Sequence, residues 1–184
     1  VICDPPYNIG YSYKGGYKDN LSNSDYAWLI FDMLNFSYKK VNDNGSLFII
    51  NYPEIIAHLF GIIQRTEWEY HQWINWVYPA NIGFSKKKFT RASRCILWLT
   101  KGNPKVYIDR VTQPYRNPND KRIKQHIANG RTGTHLYDWW EINLVKNVSK
   151  QKNNYTNQIP EEILKRLILT TTDEQDLVAD PMCG

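Results

Sequence analysis

Two Asp-Pro pairs hold the side chains best suited to chemistry. Asp4-Pro5-Pro6-Tyr7 follows Val1-Ile2-Cys3, and Asp180-Pro181 follows Leu177-Val178-Ala179, so each aspartate ends a short apolar run that reads as a buried strand. Proline fixes its own φ at about −65° and drives the residue before it into extended backbone, which makes the first tip stiff. Pro5 and Pro6 also lack amide donors. The tip therefore offers a ligand carbonyl oxygens, a carboxylate and the face of Tyr7: an acceptor-rich point with a stacking platform. Ligands of open α/β sheets sit outside the carboxyl ends of strands, so the two tips can serve one crevice only if the first and last strands lie side by side. That adjacency is the main structural expectation.

The intervening sequence supplies elements that would position them. Ser24 reads as the N-cap of a helix whose apolar residues, Ala27, Ile30, Phe31, Leu34, Tyr38 and Val41, recur at helical spacing until Asn44-Gly45. "SLFIIN" is a strand, and Pro53 opens a helix with Ile56, Leu59, Phe60 and Ile63 inward. Tyr70 to Val77 and Cys95 to Thr100 are further strands, with Trp73, Trp76 and Trp98 as packing residues. "IPEEILKRLILTTT" gives a helix from Pro160 with Ile163, Leu164, Leu167 and Ile168 inward, and "DLVADPMCG" a last strand. Strands alternating with helices imply a parallel sheet covered on both faces.

Composition bounds the function. The 184 residues fit one domain and carry a net charge of +5 with pI near 9.0. The excess is concentrated. Lys86 to Arg94 holds five basic residues and no acidic one, and Arg110 to His135 holds six against Asp120 alone. The second stretch has weak apolar periodicity and reads as a long functional loop or small irregular subdomain. These segments, 79–94 and 110–135, are candidate nucleic-acid surfaces through Lys86, Lys87, Lys88, Arg91, Arg94, Arg116, Lys121, Arg122, Lys124 and Arg131. Tyr11, Tyr13 and Tyr17, in a polar loop, are candidates for DNA or lid contacts. His126 and His135 lie in the basic loop, where contact with phosphate is the minority reading, whereas His58 and His71 are structural. Three scattered cysteines, Cys3, Cys95 and Cys183, give no metal-ligand spacing and point to a reducing compartment, the cytoplasm. No apolar run is long enough for a membrane helix. The lack of a G-x-G-x-x-G after a strand disfavours a nicotinamide dehydrogenase.

At these residues the sequence resembles the S-adenosylmethionine-dependent DNA amino-methyltransferases that modify adenine N6 or cytosine N4. Asp4-Pro5-Pro6-Tyr7 is similar to their catalytic motif, and Asp180-Pro181-x-x-Gly184 to the start of their cofactor motif. The order, with the basic region between, resembles the β arrangement of that family. "KKKFTRASRCILWLTKG", "WWEINLV" and "NQIPEEILKRLI" extend the similarity nearly end to end. It departs at Ile159, where the family carries lysine, and at Met182, where phenylalanine is common. The resemblance implies a Rossmann-like α/β fold with a mostly parallel sheet flanked by helices, a single domain over 1–184, and a chain incomplete at both ends. It implies S-adenosyl-L-methionine as cofactor, held by Asp180, Pro181, Gly184, Asn157 and Gln158. Its expected substrate is double-stranded DNA, with a homodimer and a cognate restriction endonuclease as further partners. Asp at position 4 favours adenine by family habit. Cytosine N4, an RNA or protein-amide substrate, and a fragment that binds DNA without catalysis are the alternatives.

An exocyclic amino group is a poor nucleophile because its lone pair is delocalised into the ring. The Asp4 carboxylate and the Pro5 carbonyl, accepting its two N–H bonds, would localise that pair and stabilise the developing positive charge. Tyr7 would stack on the flipped base. No cysteine nucleophile is needed.

Overall fold

In the computed structural model, which describes residues 1–13, 18–79, 86–146, 149–153 and 157–183, one mixed sheet separates two apolar layers. The elements are β1 (Ile2–Cys3), α1 (Asn23–Lys40), β2 (Ser46–Asn51), α2 (Pro53–Ile63), β3 (Glu69–Val77) and β4 (Ser93–Thr100). They continue as β5 (Thr112–Gln113), α3 (Lys121–Ala128), β6 (Thr134–His135), β7 (Trp139–Glu141) and α4 (Glu161–Thr171), with a 3-10 turn at Ile108–Arg110. The sheet order is β1-β2-β4-β3-β7. β1 pairs parallel with β2 and β7 parallel with β3, while β4 runs against both of its neighbours. The sheet is thus mostly parallel, as expected, with one reversed strand. Among the described residues between β3 and β4 there is no helix, and consecutive strands joined directly pair antiparallel.

Strand alternation sorts the core. Leu47, Ile49, Cys95, Leu97 and Leu99 face one side, where Ile30, Leu34, Ile56 and Leu59 of α1 and α2 cover them. Phe48, Ile50, Ile96 and Trp98 face the other, under Ile163 and Leu167 of α4 with Trp76 and Trp140. Both faces are buried, which explains why these strands read as continuous apolar runs. Trp76 and Trp98 pack as expected, and Trp73 lies half-buried against the first layer.

Some boundaries differ from the sequence reading. The N-cap of α1 is Ser22, not Ser24; its side chain accepts the Asp25 N–H at 3.1 Å. Inward positions include Tyr26 and Met33, which place the buried stripe one turn-edge away from Ala27 and Phe31. Residues 177–179 form no regular strand, and Leu177 is 93% exposed rather than buried, because the segment sits at the outer edge beyond β1. It is nevertheless beside β1: the Ile2 N–H donates to the Ala179 carbonyl at 3.0 Å. The region 110–135 is a small subdomain rather than an open loop, built from the β5/β6 pair and α3, which Asp120 caps by accepting the Arg122 N–H. Gly133 is required where it is, since a Cβ there would lie 2.3 Å from the Gln113 carbonyl oxygen. Asp173, just past α4, ties the approach to this subdomain: Lys105, Tyr107 and Arg110 all donate to its carboxylate at 2.7–2.9 Å.

Candidate active site

The rigid tip after β1 is braced from behind by two side chains. Asn51, fully buried at the end of β2, donates to the Tyr26 hydroxyl at 3.1 Å, and that hydroxyl donates to the Pro6 carbonyl at 2.7 Å. The Asn51 Oδ1 accepts the Tyr52 N–H at 2.7 Å, which closes the brace onto the start of α2. The Pro6 carbonyl is therefore committed to the scaffold. Among the described residues none donates to the Pro5 carbonyl, so that acceptor remains for a ligand.

Tyr7 does more than present a ring. Its hydroxyl donates to Asp4 Oδ1 at 2.8 Å, and its ring meets the edge of Tyr52 at 4.6 Å between centroids. Arg94 lies over the same ring, with its Cζ at 5.1 Å. Burial pushes the Asp4 carboxyl up to about 6, against the opposing pull of the Arg94 charge and the Tyr7 hydrogen bond. Burial likewise lifts the Cys3 thiol to about 12, which keeps it protonated and inert at neutral pH.

Asp4, Pro5, Tyr7, Arg94, Asn157, Gln158 and Asp180 line one cleft of about 380 Å³. The tip and the second Asp-Pro pair thus meet, as the Ile2–Ala179 hydrogen bond requires. The Asp180 Oδ1 accepts the Met182 N–H at 3.1 Å, an Asx turn that Pro181 stiffens. Asn157 holds a left-handed φ of 62°. Gln158 is more occupied than expected: its amide accepts the Asn153 N–H and donates to the Gln151 carbonyl, and so organises the wall beside α4. Gly184 and Tyr17 lie outside the described residues. Tyr11 and Tyr13 line the cleft in edge-to-face contact at 4.9 Å.

The basic residues divide into two groups. Lys86, Lys87, Lys88, Arg116, Lys121, Arg122, Lys124 and Arg131 are exposed. Arg116 stacks on Trp139, and Arg122 lies 3.6 Å from Asp120. Arg91 is engaged on the cleft rim, ion-paired with Glu54 and lying 3.8 Å above the Tyr52 ring. Arg94 is a correction to the surface reading: it is only 6% exposed, because β4 carries it into the cleft rather than onto the basic face. His135 pairs with Asp109 at 2.7 Å. His71 stacks on Trp98, and burial lowers its pKa. Among the described residues no cluster of three or more His, Cys, Asp or Glu side chains could hold a metal ion, and no helix is long and apolar enough to cross a membrane.

Sequence reasoning missed Tyr26, Asn51, Tyr52 and the placement of Arg94. The only available signal was Asn51 itself, a polar residue closing an otherwise apolar strand.

The DNA methylase family, which covers N6 and N4 methyltransferases, matches residues 1–184. The chain is 30% identical over 191 residues to the type II methyltransferase M.HpaI of Haemophilus parainfluenzae, covering 100% of this chain and 57% of that protein. It spans about half the length of the curated relatives it matches. By fold it is similar to the cytosine-N4-specific PvuII DNA methyltransferase, with a TM-score of 0.68 at 14% identity over 97% of this chain and 65% of that one. It is also similar to the M1.HpyAVI–SAM complex, with a TM-score of 0.58 at 17% identity over 100% and 71%. With a match that runs its whole length, and two Asp-Pro tips on one cleft, one at the end of β1 and the other on the segment hydrogen-bonded beside it, this chain belongs to the DNA methylase family.

Proposed function

We propose that the protein transfers a methyl group from S-adenosylmethionine to N6 of an adenine extruded from double-stranded DNA. The observation that carries this reading is the hydrogen bond from Ile2 to Ala179, which puts the Asp4 carboxylate and the Asp180 turn on a single cleft. The cleft volume suits a ligand of nucleoside size. Asp180 offers a carboxylate acceptor and Asn157 an amide that both donates and accepts on the cleft wall, a polar pair that fits the hydroxyl and amino-acid groups of the cofactor. When bound, that cofactor supplies an electrophilic methyl on a sulfonium sulfur. A fold relative solved with the same molecule supports the assignment.

The chain's own residues prepare the nucleophile. Above about pH 6 Asp4 is ionised and accepts one N–H of the target amino group. The Pro5 carbonyl accepts the other. Together they pull the nitrogen toward a tetrahedral geometry and stabilise positive charge as the new bond forms. Tyr7 fixes the carboxylate rotamer through its hydroxyl, and the Asn51–Tyr26–Pro6 brace holds the tip while the base arrives. The segments 79–94 and 110–135 are proposed to hold the duplex, through Lys86, Lys87 and Lys88 in the first and Arg116, Lys121, Arg122, Lys124 and Arg131 in the second. Similarity to a type II methyltransferase supports a restriction-modification setting. Asp at position 4 supports adenine over cytosine through the family resemblance.

The test is incubation of the full-length protein with labelled S-adenosylmethionine and DNA, followed by nucleoside mass analysis. N6-methyladenine is expected. N4-methylcytosine would overturn the choice of base, and the absence of any modified nucleoside would overturn the activity.

A further inference from the structure

A buried arginine with unused donors stands on the opposite side of Asp4 from Asp180. Along the sheet, residues 177–179 lie outside β1, then come β2 and β4, so Arg94 approaches the cleft two strands away from β1. It is 6% exposed and lines the cleft. Its Cζ lies 5.1 Å from the Tyr7 ring and 5.0 Å from the Trp76 ring. Among the described residues its Nε and Nη1 have no hydrogen-bond acceptor. Aromatic faces offset part of a guanidinium's charge, but they give no lone pair to its N–H groups. Arginine cannot relieve the burial by losing its proton. A buried donor set of this kind calls for an acceptor that the chain itself does not provide.

Resting on the base-methylation reading above, we propose that Arg94 donates a hydrogen bond to N7 of the extruded adenine, rather than to N1 or N3, and thereby positions the base against Asp4. The sheet order argues against the cofactor as the acceptor, because the Asp180 turn lies across β1 from Arg94. Depth argues against a phosphate, which keeps its hydration at the rim of a pocket. The choice of ring atom follows from the chemistry. N1 is joined to the amino group as an amidine, so a cation donating there would draw the lone pair into the ring and oppose what Asp4 does. N3 lies para to the amino group and shares that conjugation, whereas a donor at N7 fixes the base without the penalty. The same positive charge favours ionised Asp4, so one side chain serves both the base and its acceptor.

The test pairs substrate analogues with variants of the full-length enzyme. DNA carrying 7-deaza-, 3-deaza- or 1-deaza-adenine at the target position is compared with adenine, using kcat/KM and the separately measured Kd for the cofactor. In the wild type, the 7-deaza substrate should fall by about 10–100-fold, the loss of one charge-assisted hydrogen bond, and the 3-deaza penalty should be the same with and without Arg94. Arg94→Met should lose a similar factor on adenine and show no further loss with the 7-deaza analogue, while the 1-deaza effect stays the same in both enzymes. Arg94→Lys should restore part of the rate, and it carries the same comparison if Arg94→Met does not fold. Cofactor Kd should not change. Equal 7-deaza penalties with and without the guanidinium would overturn the proposal. So would coupling that appears only with a neutral methylphosphonate beside the target, or a cofactor Kd that rises in step with the rate loss. If the wild type makes N6-methyladenine but shows no coupling, this inference alone fails; if the wild type methylates no adenine, the functional reading fails and this inference with it.

Discussion

Replacing Asp4 with asparagine should make the protein more stable while removing its activity. Burial lifts the Asp4 carboxyl from its ordinary 3.8 to about 6, which corresponds to about 3 kcal/mol of disfavour for the ionised form in the folded state above pH 6. That figure is already net of the attraction to Arg94; the carboxamide introduced by Asp4→Asn would keep the size and the acceptor for the Tyr7 hydroxyl, but its NH2 group would need a partner, at a cost of about 1–2 kcal/mol. A net gain of about 1–2 kcal/mol is therefore expected, or about 2–8 °C in Tm for a chain of this size. The sign with pH is specific. Below about pH 4 the wild-type carboxyl is protonated in both the folded and the unfolded chain, so Asp4→Asn gains nothing. Between about 4 and 6 the unfolded chain releases its proton while the folded chain retains it, and wild-type stability falls as pH rises. Above 6 the full difference is present. Urea denaturation of both full-length proteins at pH 4, 5, 6 and 7.5, read by tryptophan fluorescence, measures this directly. Methylation should fall by about 10²–10⁴ in the same variant. A variant less stable than wild type at pH 7.5, or a difference that does not grow from pH 4 to 6, would refute the assignment of Asp4 as a carboxylate held at an energetic cost.

Other perturbations separate the parts of the site. Changing Lys86, Lys87 and Lys88 together to alanine should weaken binding to all DNA sequences and reduce the slope of log K against log salt by up to about 2.7, measured by fluorescence anisotropy; an unchanged slope would show that these lysines do not meet phosphate. Tyr26→Phe removes the hydroxyl between Asn51 and Pro6, so it should cost about 1–2 kcal/mol of stability and lower kcat more than it raises the cofactor Kd. Asp173→Asn releases Lys105, Tyr107 and Arg110, and should speed hydrogen exchange across 105–113 and weaken DNA binding without changing cofactor Kd. These donors hold the Asp173 carboxyl well below the usual carboxylate range, so its contribution is present above about pH 4 and is lost as the solution is acidified further.

The chemistry was more legible in the sequence than the support beneath it. Asp4-Pro5-Pro6-Tyr7 announces itself because two prolines constrain the backbone without help from the rest of the chain. The strands announce themselves because apolar runs need burial on both faces. Tyr26 and Asn51 gave little warning: their roles depend on α1 crossing β2 at one particular place, which no local pattern encodes. Arg94 was misplaced for a related reason. In the linear text it closes a basic run, and only the register that pairs it with Trp76 turns it inward, away from Lys86 to Lys88. The helix in 121–128 was hidden because it is only eight residues long and its apolar face is the single pair Ile123 and Ile127, with one aspartate cap to mark its start.

The reversal of β4 has a consequence for how such a protein could diversify. Val77 and Ser93 face each other across the ladder, so the polypeptide that leaves the sheet at one must come back at the other, a fixed gap of a single strand spacing. Whatever lies between them can lengthen, shorten or change its contacts while both anchor points stay put. On the proposed function, choice of DNA sequence would then drift while Asp4 and the cleft around it stay unchanged.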